Sequence, residues 1–145
     1  MQEYVRTVGV IKMEQVGNME IIGRGEEVAK KILRDMFPDA EILTQVPLYK
    51  LLTNDWRLEL SERQQKETID IVVKRKFKKA LCVRIQDKHH FSERFYRIDA
   101  SQRHLLEESH CEVVDIPENE CPYLFKDRYN AKSFSELNYY LKPYL

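Results

Sequence analysis

TIDIVVKRKFKKALCVRIQDK, residues 68–88, is the stretch on which the reading of this chain turns. Its two ends, TIDIVV (68–73) and ALCVRIQDK (80–88), are rich in β-branched and apolar residues, and the basic segment KRKFKK lies between them. That composition predicts two strands joined as an antiparallel hairpin. With a three-residue turn at Phe77 to Lys79, strand alternation sets Asp70 opposite Gln86, Val72 opposite Arg84 and Thr68 opposite Lys88. Asp70, Gln86 and Lys88 then share one polar face. The opposite face carries Ile69, Ile71, Val73, Leu81, Val83 and Ile85, an apolar surface that helices must cover.

Upstream, EEVAKKILRDMF after Gly25 places Val28, Ala29, Ile32, Leu33 and Met36 on one helical face, and Pro38 ends the helix. AEILTQVPL (40–48) reads as a strand closed by Pro47, and the polar run from Thr53 to Lys66 as an exposed loop. Residues 3–22, with a Gly17-Asn18 turn signal, suggest a hairpin or an extended arm. Downstream, DASQRHLLEES (99–109) reads as a helix with Asp99 as N-cap, CEVVDI as a strand stopped by Pro117, and Ser133 as the cap of a last helix running through Tyr140. The order from residue 25 is helix, strand, strand, strand, helix, strand, helix. It predicts an α/β fold with a mixed central sheet flanked by helices. At 145 residues the chain is the size of one domain, here read as an arm (1–24), a core (25–117) and a C-terminal extension (118–145).

Lys and Arg number 24, as do Asp and Glu, so global charge selects no partner and any attraction for phosphate must be local. Cys82, Cys111 and Cys121 are odd in number and lack a CxxC pair, which indicates neither a disulfide framework nor a zinc site and fits a reducing cytoplasm. MQEYVRTVGVIKMEQ contains no apolar signal core, and no uncharged apolar run approaches the roughly 20 residues that span a bilayer. A soluble, cytoplasmic protein is expected.

Chemistry-bearing residues gather around the predicted hairpin. At about 100° per residue, Glu26 falls roughly 20° from Leu33, at the border of the apolar helical face, whereas Glu27 points to solvent. From there its carboxylate can reach the sheet and join Asp70 in offering the hard oxygen ligands that Mg²⁺ prefers. Two acids and the Lys88 ammonium suit phosphodiester hydrolysis, in which a metal activates water and polarises phosphate while the lysine steadies developing negative charge.

Glu26 on a helix, Asp70 on a strand and Gln86-Asp87-Lys88 on the next strand form a pattern that resembles the PD-(D/E)XK nuclease superfamily. Ile69 stands where the motif's name has Pro, and Gln86 where it has an acid, a variant similar to that of the TnsA transposition endonucleases. The second helix and its strand, DASQRHLLEESHCEVVDIP, look like the Asp-x-x-x-Arg, Leu-Leu, Val-Val pattern of Vsr-like nucleases. Together the resemblances cover about residues 25–117. They imply a restriction-endonuclease-like three-layer core, a Mg²⁺ cofactor for which Mn²⁺ can substitute, catalytic Glu26, Asp70, Gln86 and Lys88, and roles for Asp99, Gln102 and Arg103. Glu26, Asp70 and Gln86 would hold the metal. By alternation the Asp87 side chain points with Ile85 to the other face, and its backbone carbonyl is a further candidate ligand.

Candidate nucleic-acid contacts are the basic turn Lys74, Arg75, Lys76, Lys78 and Lys79, with His89 and His90 beside Lys88. A charged hairpin tip is as readily a solvated one that protects a sheet edge, and histidines at a strand end are more often merely solvated. Arg84 could contact phosphate or pair with Asp70. Tyr123, Phe125, Tyr129, Tyr139 and Tyr140 could stack on bases, although core packing or a dimer interface is the commoner use. The expectation is a metal-dependent endonuclease acting on DNA ahead of RNA, in a restriction, repair, recombination or mobile-element setting. A noncatalytic module of the same fold, binding nucleic acid or protein, is the alternative. A double-strand cut would call for two copies of so small a domain, which leaves a homodimer as an option.

Overall fold

The computed structural model describes residues 25–86, 93–126 and 128–145. The elements are α1 (Glu26–Met36), β1 (Glu41–Pro47), the single-turn α2 (Asn54–Arg57), β2 (Thr68–Lys74), β3 (Leu81–Gln86), α3 (Glu93–Glu108), β4 (Glu112–Pro117) and α4 (Ala131–Leu141). Among the described residues the four strands form one sheet in the order β1-β2-β3-β4. β1, β2 and β3 are antiparallel neighbours, while β3 and β4 run parallel. A parallel pair needs a crossover, and α3 supplies it. Among the described residues the fold is therefore α/β with a mixed sheet and four helices, in the order expected apart from the added single turn α2. No described helix is long and apolar enough to cross a membrane.

Both faces of the sheet are buried, which corrects the expectation of one apolar and one polar face. Ile71, Val73, Leu81, Val83 and Ile85 pack with Val28, Ile32 and Leu33 of α1 and with Leu137 and Leu141 of α4. Val72 and Cys82, on the opposite face, pack with Leu105 and Leu106 of α3, Leu48, Leu52 and Val113. The crossover lays α3 over that face, so only its end near Asp70, Arg84 and Gln86 stays polar. Cys121, Leu124 and Phe125 join the α1 side, so residues after Pro117 contribute to the main core and Phe125 is not available for stacking. All three thiols are free and buried, Cys82 under α3 and Cys121 on the α1 side. The neighbouring Cys111 thiol and burial push Cys82 above the ordinary thiol range, and burial with nearby Glu136 and Glu120 raises Cys121 to about 12.

Four local expectations are corrected. β2 and β3 pair Ile71 with Val83, Val72 with Cys82 and Val73 with Leu81, two residues from the predicted register. The turn is longer than three residues because Arg75 folds inward, donating from Nη2 to Lys79 O (2.7 Å) and to Glu112 Oε2 (2.8 Å). A two-residue slip keeps side-chain parity, so Arg84 and Gln86 stay on one side, that of Val72 and Cys82, whereas Ile69 lies on that side too and not with Ile71 as expected. α3 begins at Glu93, which puts Asp99 inside the helix instead of at its cap. Asn130 is the N-cap of α4 and accepts from Ser133 N, while Ser133 Oγ accepts from Asn130 N, a reciprocal capping box that makes Ser133 the third helical residue. The loop from Thr53 holds α2 and a 3-10 turn at Gln64–Lys66.

Gly25 starts α1 at φ +86, and a Cβ there would stand 3.4 Å from the Leu124 carbonyl oxygen. The left-handed backbone costs an L-residue about 1–2 kcal/mol. Gly25→Ala should lower unfolding free energy by that amount in urea titration, with the m-value unchanged.

Candidate functional site

Glu26 is the first residue of α1, where the helix macrodipole favours an acid, and it is buried. Its Oε1 accepts from Gln45 Nε2 at 2.9 Å, and Gln45 Oε1 accepts from Thr68 Oγ1 at 3.1 Å. Gln45 belongs to β1 yet has φ +50, a left-handed conformation that costs a non-glycine residue about 1–3 kcal/mol. β1 and β2 pair Thr44 with Ile71 and Val46 with Ile69, leaving Gln45 and Asp70 facing each other out of the ladder. Sidedness switches across this pair in both strands. Ile71 packs toward α1 but Ile69 toward the α3 side, and Leu43 and Val46 both lie on that second side.

The same crease opens the sheet between β2 and β3. Their pairing ends at Ile71 and Val83; continuing it would set Ile69 opposite Ile85. Instead the Ile85 N–H donates to Asp70 Oδ2 at 2.8 Å, so the carboxylate replaces a backbone acceptor where the strands part. Glu26 thus holds Gln45 by hydrogen bond, and Asp70 occupies the position opposite Gln45 between the flanking pairs.

Beside the crease lies a charged network. Arg84 is 5% exposed and grips Asp115 through two parallel bonds, Nε to Oδ1 at 2.6 Å and Nη2 to Oδ2 at 2.8 Å. Its Nη1 donates to Asp99 O (2.9 Å) and Gln102 Oε1 (3.2 Å). Gln102 passes the chain on, donating from Nε2 to Glu67 Oε1 at 2.9 Å. Arg103 Nη2 reaches Asp115 Oδ2 at 2.7 Å from the other side. Gln86, the last residue of β3, donates from Nε2 to Asp99 Oδ2 at 3.0 Å, which turns its amide oxygen away from that carboxylate. Burial pushes the Asp115 carboxyl up, but the two arginines outweigh it and hold it below the usual range. Burial raises Glu67, against the Gln102 hydrogen bond.

Of the residues singled out from sequence, Glu26 and Asp70 are brought to one crease, and Gln86 stands at the end of the neighbouring strand, tied to α3. Asp87, Lys88, His89 and His90 lie outside the described residues. Arg84, Gln102 and Arg103 form the internal network, and Arg75 holds the turn. Lys76, Lys78 and Lys79 are exposed in the turn beyond Lys74, the last residue of β2, which is itself about 13 Å from Asp70 along the strand. Among the described residues no group of three or more His, Cys, Asp or Glu is placed to hold a metal.

Sequence reading missed Gln45 and Asp115. Nothing in the type of residue 45 announces a left-handed strand position. Asp115 did carry a signal: an acid inside CEVVDIP and an arginine inside ALCVRIQ are opposite charges centred in two apolar strands, and Arg84 pairs in register with Asp115. Comparison of the chain with protein-family models, with curated proteins and with solved structures returned no match.

A carboxyl held below its unfolded value stabilises the fold above the ordinary carboxylate range and loses that contribution as pH falls through the lowered folded value. Asp115→Asn should cost about 2–3 kcal/mol near neutral pH, because Arg84 loses the charge that offsets its burial. Urea titrations should show the gap between the two proteins level from pH 7 down to the ordinary carboxylate range, about pH 4, and narrowing only below it.

Proposed function

We propose that the chain is a metal-dependent nuclease of PD-(D/E)XK type, with a restriction-endonuclease-like core, hydrolysing phosphodiester bonds at the crease between β2 and β3. The observation that carries the reading is Asp70: a strand carboxylate outside both ladders, facing a residue in strained backbone that also holds Glu26. Backbone strain of this kind gathers at functional sites, where the surrounding structure over-determines it.

The donors fit a hard divalent ion. Glu26 and Asp70 offer carboxylate oxygens and Gln86 an amide oxygen that Asp99 orients by taking its N–H, and Mg²⁺ needs only one or two carboxylates beside water and phosphate. When bound, Mg²⁺ or Mn²⁺ supplies Lewis acidity toward a phosphate oxygen and toward water. The chain's own residues do the rest. Gln45 holds the Glu26 carboxylate in one orientation, the Ile85 N–H does the same for Asp70, and Lys88 is assigned to the charge that builds on phosphate in the transition state. A catalytically silent binding module is the second reading, favoured by Gln86, whose neutral amide weakens the ligand set relative to a third acid.

Two substitutions test this. Asp70→Asn keeps an oxygen for the Ile85 N–H and should retain stability within about 1 kcal/mol while lowering Mg²⁺- or Mn²⁺-dependent DNA cleavage at least about 100-fold. Wild-type cleavage by this variant would exclude the site. Gln86→Glu sets a carboxylate against Asp99, so its melting temperature should drop without metal and recover on Mn²⁺ titration, with cleavage kept or raised. A Gln86→Glu protein that Mn²⁺ cannot rescue and that never cuts would leave the binding module.

A further inference from the structure

Between β2 and β3 the chain holds Phe77 entirely in water, 104% exposed, at φ +59. Both features are unfavourable. Glycine or asparagine takes a left-handed turn position readily, a bulky aromatic does not, and a phenyl ring in solvent gains nothing from burial. Lys74, Lys76, Lys78 and Lys79 are all exposed around it, and residues 74–79 include no acid. Arg75 turns inward and anchors the turn from beneath, adding a bond from Nη1 to Tyr144 O (2.9 Å) to those on Lys79 and Glu112. Beside it runs a groove of about 400 Å³, whose lining includes Phe37, Pro38, Tyr144, Lys76, Lys78 and one acid, Asp39.

We infer that this tip is a docking point for an unpaired nucleotide, its base stacked on Phe77 over the groove and its flanking phosphates held by the lysines. The inference rests on the nucleic-acid partner proposed above. Charge and shape together select the occupant. Four ammonium groups outnumber the single Asp39 carboxylate and ask for a polyanion, and an exposed ring asks for a flat π surface, which a duplex interior hides and a single strand presents. The tip lies beyond Lys74, which is about 13 Å from Asp70 along β2, so at least about four stacked nucleotides separate the two. It is therefore a grip on the strand away from the crease, and the site of bond cleavage stays with Asp70.

The full chain carrying Phe77→Trp, read against wild type, reports on the tip directly. Binding is measured in EDTA, so cleavage plays no part, with a 20-nucleotide oligothymidylate, a blunt 20-base-pair duplex and phosphatidylserine vesicles as probes. Quenching of the added tryptophan by the oligothymidylate is expected, together with about 5- to 100-fold weaker oligothymidylate binding by Phe77→Ala, the range that loss of one stacked base gives. Lys76, Lys78 and Lys79 changed together to Ala should flatten the salt dependence of binding. No quenching by the oligonucleotide, equal affinity for Phe77→Ala, or quenching by vesicles alone each overturns the inference. A chain that binds through residue 77 but never cleaves would refute the nuclease reading and keep the tip; a Phe77→Trp chain that cleaves with its added fluorescence unquenched would do the reverse.

Discussion

Burying a guanidinium costs several kcal/mol unless its N–H groups find acceptors, and Arg84, in the middle of β3, finds them on two other elements. Asp115 lies beside it on the parallel strand, while the Asp99 carbonyl and the Gln102 amide come from the helix above. This requirement ties the crossover to the strands it joins. α3 cannot slide along the sheet without stripping Arg84 of the Asp99 and Gln102 acceptors, and β4 cannot shift register without breaking the paired bonds to Asp115. Leu105 and Leu106 bury non-directional surface against Val72 and Cys82, which sets how firmly the helix sits; the polar contacts set where.

With that corner fixed, β3 cannot follow β2 to its end. β2 is paired with β1 along its length, apart from the Gln45 and Asp70 step, and β3 is paired with β4 through Gln86. The two halves of the sheet part beyond Ile71 and Val83, and Asp70 closes the opening by accepting from Ile85. On this account the crease is a mismatch between two rigid strand pairs, and the proposed chemistry uses the carboxylate that bridges it. The β2 end carrying Asp70 and the turn carrying Phe77 are thereby distinct in build: one is held by packing on both faces, the other by a single inward arginine.

Element order and the apolar surfaces were legible in the sequence because they rest on period and composition: Ile71, Val73, Leu81, Val83 and Ile85 could be assigned one face before any contact was known. Gln86 and Arg84 kept a common side although the register differed by two residues, since a slip of two preserves parity; at Asp70 alternation breaks, and Ile69 leaves the face of Ile71. The burial of Val72 and Cys82 was not legible from the hairpin alone, because it depends on which face the crossover covers. Glu26 could be placed from helical angle, whereas its partner Gln45 could not. A left-handed glutamine in a strand arises from the meeting of three elements and leaves no local mark. Asp99 read as a cap because Asp precedes a helical pattern; the helix in fact starts earlier, and Asp99 turns to Gln86.

The buried cysteines place a chemical stopwatch in each layer of this protein. A thiol reacts with alkylating reagents as thiolate, and both Cys82 and Cys121 are kept protonated and covered, so modification must wait for the layer above to lift. Cys82 lies beneath the crossover helix and Cys121 among the residues that join α1 to the C-terminal helix. Their separate labelling rates would reveal whether the two layers breathe together or independently, with no residue substituted.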